Sequence, residues 1–168
     1  TFYLLKRKTL YQILDSVFKR KKKIACLGIN WLIFGSSNLV EDPEDGVINA
    51  FTHCARDEFE WNQLVKSCVI PSKIVGWVNP HLPLQTFGYK KINLDGKKIV
   101  QPRNELPKKK NIRLYHYFVK NKKHFEEKVN KGMADRNAKR SMDEFYYYDK
   151  NDVTNYKAIS VRDYILKK

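Results

Sequence analysis

Apolar positions change their spacing along the chain in ways that mark out elements. Leu10, Ile13, Leu14, Val17 and Phe18 recur at helical spacing behind Thr9, which suits an N-cap. The basic run from Lys19 suits a helix C-terminus. Residues 24–34 are almost continuously apolar or small, the pattern of a central strand covered on both faces in an α/β sheet. Gly35-Ser36-Ser37-Asn38 ends that strand, and the acidic loop Glu41-Asp42-Pro43-Glu44-Asp45-Gly46 follows.

Past Val47 to Phe51 the pattern weakens. Glu58 to Cys68 is compatible with a short helix, Pro71 interrupts, and Lys73 to Val78 reads as a strand. Two close prolines make Asn79-Pro80-His81-Leu82-Pro83 irregular. Tyr89 to Ile92 and Lys97 to Val100 flank Asn93-Leu94-Asp95-Gly96, an expected hairpin with an Asp-Gly turn. Ile112 to Val119 alternates, which predicts a strand with Ile112, Leu114, His116 and Phe118 on one face. Asn121 is placed to cap a helix reaching Lys131, with Gly132 as its C′ residue. A further helix is expected from Ala134 to Tyr148, then a loop at Asp149 to Asp152 and a short helix around Val161 to Leu166. The pattern has no internal repeat and no long linker, so the reading is one compact piece of mixed α and β.

Composition narrows the classes. The 168 residues are 42% hydrophobic and 13% aromatic, too apolar for a disordered tail. No apolar run reaches the ~20 residues of a membrane span, and Lys6, Arg7 and Lys8 interrupt any signal-peptide core. The chain begins at Thr1, not Met, and is expected to be a segment of a longer protein. Cys26, Cys54 and Cys68 are odd in number and widely spaced, which favours inert thiols and a reducing compartment over a disulfide framework.

Charge adds a partner class. The formal net charge is +15, with basic clusters at Lys19 to Lys23, Lys108 to Lys110, Lys120 to Lys123 and Lys139-Arg140. Such surfaces attract phosphates, whether in nucleic acid, anionic lipid or a nucleotide-linked substrate. Tyr115, Tyr117 and Phe118 sit among lysines but lack the glycines of an RNA-recognition signature. A basic nucleic-acid-binding module without catalytic activity therefore stands as the alternative reading, and a membrane-surface adaptor as a third. No Gly-rich phosphate loop, Cys-x-x-Cys pair, His-Glu-x-x-His helix or serine elbow occurs. Of the four histidines, His116 is the one in a strand, with Lys120 at that strand's end. From the residues alone a hydrogen-bonded core histidine is the favoured reading of His116, while a neutral imidazole there also suits a metal and the lysine a phosphate.

Several blocks, taken in order, resemble one family. Trp31-Leu32-Ile33-Phe34-Gly35-Ser36-Ser37 is similar to the Trp-x-x-Phe-Gly-Ser-Ser segment of glycosyltransferase family 92 and its family-2-like bacterial relatives. Phe51-Thr52-His53-Cys54-Ala55 resembles the Phe-Thr-Arg-Cys-Ala stretch that follows there, and Lys66-Ser67-Cys68-Val69-Ile70-Pro71 with His81 resembles the next block. His116-Tyr117-Phe118-Val119-Lys120-Asn121 is close to the His-Tyr-x-x-Lys-Ser motif. It continues into Phe125, Lys128, Lys131-Gly132 and Arg136, and Asp149-Lys150-Asn151-Asp152-Val153 resembles the closing loop. The family has Gly-His where this chain has Asn38-Leu39, Arg at His53 and Ser at Asn121.

The resemblance covers about residues 2 to 155. It implies the C-terminal half of a GT-A fold, a Rossmann-like α/β glycosyltransferase with a mixed sheet and C-terminal helices. Residues 1–155 would form that half and 156–168 a tail or short helix. The implied activity is metal-dependent, inverting transfer of a sugar, galactose-like, from a nucleotide-sugar donor (a UDP-sugar) to a glycan acceptor in polysaccharide assembly. The family's Asp-x-Asp metal motif lies N-terminal to the Trp-Phe-Gly block, and Phe2-Tyr3-Leu4-Leu5 resembles what comes after it. Mn²⁺ or another divalent cation is the implied cofactor, with His116 the first and His81 the second choice of ligand. The substrate-binding residues implied are Trp31, Phe34, Gly35, Ser36, Ser37, Lys66, Tyr117 and Lys120. The catalytic base is left open, with Asp42, Glu44 and Asp45 candidates by position alone. The implied setting is cytoplasmic, or the cytoplasmic face of an anionic membrane touched peripherally, or the Golgi lumen in a eukaryote. The isolated segment is expected to be inactive.

Overall fold

The computed structural model describes residues 2–4, 9–20, 22–44, 46–108, 112–133 and 138–166. Asp45, Arg136, Lys21, Lys109, Lys110 and the expected helix start at Ala134 lie outside the described residues. The chain is mixed α/β with a mixed sheet, and it divides into two units, Thr1–Leu32 with Phe59–Tyr115 and Ile33–Glu58 with His116–Lys168.

In the first unit, β1 (Phe2–Leu4) is followed by α1 (Leu10–Arg20). Thr9 and Gln12 cap α1 reciprocally, each side chain meeting the other's backbone N–H at 3.2 and 2.9 Å. Leu10, Leu14, Val17 and Phe18 pack on a core of Ile24, Leu27, Ile29, Ile92 and Ile112, as the helical spacing predicts. The central strand β2 (Ile24–Ile33) is buried at every position. Its neighbours are β4 (Val65–Val69), antiparallel, β7 (Lys90–Ile92), parallel, and β8 (Ile112–His116); β1 pairs antiparallel with the outer side of β8. A small separate hairpin pairs β5 (Ile74–Trp77) with β6 (Pro83–Gln85).

Three local expectations change here. Glu58 to Cys68 is not a helix: a single 3-10 turn at Glu60–Gln63 leads into β4, because the open edge of β2 offers ladder hydrogen bonds to β-branched Val65 and Val69. The Asp-Gly turn forms, with Asn93 Oδ1 accepting from Asp95 N and Lys97 N at 3.0 Å each. Its second arm is only a bridge, Ile92 to Lys98. The strand expected to reach Val119 stops at His116, and Arg113 and Tyr115 are buried along with Ile112, so both faces are covered.

The second unit contains α2 (Val47–Ala50), β3 (His53–Cys54), α3 (Lys122–Lys131), α4 (Met142–Tyr148), β9 (Val153–Thr154) and α5 (Tyr156–Leu166). Asn121 caps α3 by accepting from His124 N at 2.7 Å, and Gly132 ends it at φ 74°, as the sequence predicts. Of the stretch expected to be helical from Ala134, residues 138–141 are not helical, and α4 begins at Met142, where Ser141 takes the N-cap position and Asp143 and Glu144 fill the first turn. The last helix starts earlier than expected, because Asn155 Oδ1 accepts from Ala158 N at 2.9 Å and caps it. Val119, Phe125 and Phe145, flanked by Phe118, Val129, Met142 and Tyr148, form the core between α3 and α4. Among the described residues no helix is long and apolar enough to cross a membrane.

Candidate functional site

The second unit draws three distant segments onto Phe34-Gly35-Ser36-Ser37. Ser36 N donates to Asp149 Oδ1 at 2.6 Å, and Ser36 Oγ donates to Asp149 Oδ2 at 3.1 Å. Ser37 N donates to Asn151 Oδ1 at 2.7 Å. Ser37 Oγ accepts from Thr52 N and His53 N at 2.9 and 3.1 Å. Gly35 N donates to the His53 carbonyl, and Phe34 N to the His116 carbonyl. The loop 149–152, the His53 strand and the end of β8 are thus all tied to one turn.

That turn is held in a conformation side chains seldom adopt. Ser37 and Asn38 both sit in the left-handed region, at φ 53° and 62°, a strain of about 1–3 kcal/mol per residue that persists only where surrounding bonds dictate it. Asn38 N donates to Ser36 Oγ at 3.0 Å, completing the restraint. Both serine hydroxyls are occupied in fixing backbone, so they position the loop and are not poised as nucleophiles. His53 lies between two hydroxyls, with Nδ1 3.5 Å from Thr52 Oγ1 and Nε2 3.3 Å from Thr154 Oγ1.

Tyr117 packs its ring 4.7 Å from Phe34 and 6.3 Å from Phe51. Its hydroxyl is buried with no hydrogen-bond partner among the described residues. Burial, with Cys54 alongside, pushes its ionisation far above the ordinary phenol value. His116 is half-buried, its ring 5.9 Å from Phe118. Lys120, another left-handed residue at φ 53°, is half-buried at the start of α3.

A basic cluster lies beside these aromatics. Lys128 Nζ donates to the Phe118 carbonyl at 2.7 Å and sits 4.6 Å from the Phe118 ring. Arg140 is 5.3 Å from the same ring and pairs with Glu144 at 2.8 Å. Burial pushes the Lys128 ammonium below its ordinary value, helped by Arg140 and Lys120. An anion placed among these cations would relieve that repulsion. The acidic loop is engaged nearby: Asp42 accepts from Asn121 Nδ2 at 2.6 Å, and Glu41 pairs with Lys123 at 2.6 Å. Glu44 is exposed.

The first unit holds the other expected residues together. Trp31 is buried, with the Lys66 ammonium 5.8 Å from its ring and the His81 imidazole 5.2 Å away. Lys66 Nζ donates to the Pro80 carbonyl at 3.2 Å. His81 Nδ1 meets the Val65 carbonyl at 2.8 Å, which fixes the proton on that nitrogen and leaves Nε2 with its lone pair. Burial holds this imidazole below its ordinary value. Buried Asn30 ties down the loops alongside, its Nδ2 donating to Asn62, Gln63 and Asn104 carbonyls at 3.4, 3.1 and 3.1 Å. None of the three cysteines is in a disulfide, and burial pushes the Cys26 and Cys68 thiols up, away from reactivity.

Sequence reasoning did not single out Asp149, Asn151 or Asn30 as the residues on which these loops hang. Asp and Asn in a polar loop look alike in sequence whether they are solvated or bonded to a partner over a hundred positions away. Compared with known families, with curated proteins and with solved structures, the chain matches none of them.

Proposed function

We propose that the chain is the acceptor-side, C-terminal portion of a GT-A glycosyltransferase that transfers a sugar from a UDP-sugar to a glycan. What supports the reading is the convergence on Phe34–Ser37 of three blocks that the family resemblance named separately: Thr52–Cys54, His116–Tyr117 and Asp149–Asn151. In this reading Lys120 and Lys128 face the donor diphosphate as point charges. The acceptor hydroxyl is deprotonated by a carboxylate, for which Asp42 and Glu44 are the described candidates.

Mn²⁺ would supply Lewis-acid neutralisation of the leaving diphosphate. Among the described residues no three His, Cys, Asp or Glu side chains gather into a group that could hold a metal. The proposal therefore asks one imidazole of this chain. His116 is the first choice, and His81, with its Nε2 lone pair available, is the second. No Asp-x-Asp occurs within the 168 residues, so the carboxylate ligands would come from elsewhere in the protein.

Calorimetric titration of UDP into the full-length protein carrying this chain, with and without Mn²⁺ at ~0.2 M salt, tests the reading. Manganese-dependent binding that is lost in His116→Ala is the expected result. Failure of the full-length protein to bind UDP, with RNA retained at that salt, overturns it in favour of the nucleic-acid alternative.

A further inference from the structure

The β5–β6 hairpin of the first unit carries large apolar side chains that its own core does not cover. Phe87 is 101% exposed, Val75 71%, Val78 62% and Trp77 54%. They are spread along the hairpin. Phe87 occupies the corner of a Thr86–Tyr89 turn that Gly88 permits at φ 81°, Val75 lies within β5, and Trp77-Val78 lead into the connection. Thr86 N bonds back to the Lys73 carbonyl at 2.9 Å, so the Phe87 turn is anchored at the start of β5. A fully exposed phenylalanine on a hydrogen-bonded turn is held outward by the backbone itself.

Cations frame this surface. Lys66 Nζ reaches the Pro80 carbonyl at 3.2 Å, Lys91 Nζ the Pro83 carbonyl at 3.1 Å, and Lys73 Nζ lies 5.1 Å from the Tyr89 ring. Lys90 follows, exposed. From Trp61 to Leu94 the chain contains no Asp or Glu at all. Exposed apolar side chains, a tryptophan among them, set among lysines in a segment with no carboxylate, suit a negatively charged interface with an apolar interior. A second copy of the same surface would set lysine against lysine.

We propose that the β5–β6 hairpin docks the protein on an anionic lipid surface, with Trp77, Val78 and Phe87 entering the headgroup boundary and Lys73, Lys90 and Lys91 contacting lipid phosphates. This docking is independent of the glycosyltransferase reading. The test is co-sedimentation with phosphatidylcholine vesicles, pure or containing about 30 mol% phosphatidylserine, at ~0.15 M salt. The wild-type chain should sediment with the anionic vesicles and not with the neutral ones.

The double variant Trp77→Ser, Phe87→Ser changes only exposed side chains. It should keep the wild-type unfolding midpoint and lose about 10–100-fold in partitioning. Lys73→Gln with Lys90→Gln should weaken binding most at low salt and flatten its dependence on salt. Absence of wild-type binding to anionic vesicles overturns the proposal, as does undiminished binding of the Trp77/Phe87 variant. A dimer in sedimentation equilibrium that the same variant dissociates also overturns it, because a second copy then covers the hairpin. UDP titration of the Trp77/Phe87 variant reads the nucleotide site separately.

Discussion

Substituting Gly35 by Ala tests the junction on which the candidate site depends. A methyl group there would lie 2.6 Å from the Lys150 carbonyl oxygen and 2.7 Å from its carbon, and against Asn151 Oδ1 as well. Normal carbon–oxygen contact is about 3.4 Å, so loop 149–151 must retreat by roughly 0.8 Å. The bonds from Ser36 N to Asp149 and Ser37 N to Asn151 are only 2.6 and 2.7 Å long. A retreat of that size takes both to or beyond the ~3.2 Å limit of a useful bond. One bond is to a carboxylate, at about 1.5–3 kcal/mol, and one is neutral, at about 0.5–1.5 kcal/mol. A loss of about 2–4 kcal/mol is expected, a large share of the ~5–15 kcal/mol that holds a domain together.

Urea denaturation followed by circular dichroism measures it, as a lower midpoint with an unchanged slope. Gly76→Ala is the internal control. Its methyl would meet only Leu84 Cδ1, at 3.9 Å, and the lost backbone freedom of the unfolded chain should leave it neutral or up to about 1 kcal/mol more stable. If Gly35→Ala costs no more than Gly76→Ala, the close approach of loop 149–151 to Gly35 is wrong, and the convergence behind the functional proposal goes with it.

Three further outcomes follow from the same geometry. Asn121→Ala removes both the cap to His124 N and the donor to Asp42 and should cost about 1–3 kcal/mol, while Asn121→Ser, which can still cap, should cost less; equal losses in thermal melts would refute the cap. Tyr117→Phe deletes a buried hydroxyl that has no partner among the described residues and should leave stability unchanged or raise it by up to about 1 kcal/mol, so a clearly lower unfolding midpoint would reveal a bond to that oxygen. Burial holds the His81 and His124 imidazoles below their ordinary values, so the unfolded chain takes up protons first as pH falls. The stability they contribute is complete above about pH 6.5 and declines below it. His81→Asn should shrink the drop in midpoint between about pH 7 and 5.5, and an unaltered drop would remove His81 from that account.

Legibility followed the range of the interactions. The Thr9 and Asn121 caps, the Gly132 stop, the apolar stripe of α1 and the double-sided burial of β2 all depend on neighbours a few positions away or on runs of one residue type, so they can be read along the chain. The candidate residues on the Gly35-Ser36-Ser37 turn, together with His116 and Tyr117, were legible as motifs. Their assembly was not. Whether Glu58 to Cys68 became helix or strand was decided by the vacant edge of β2, and the late start of α4 by Ser141 and the acids behind it. The side chains that accept from the Ser36 and Ser37 amides lie more than a hundred residues onward, and no local propensity encodes which carboxylate or amide will arrive there. Sequence by itself determined the mixed α and β elements, the basic surface and the order of the motifs, because these are sums over short windows. Tertiary structure alone decided the left-handed Ser37-Asn38 turn, the Tyr117 hydroxyl without a partner among the described residues, and the outward Trp77 and Phe87, because each reflects what distant segments do or do not cover.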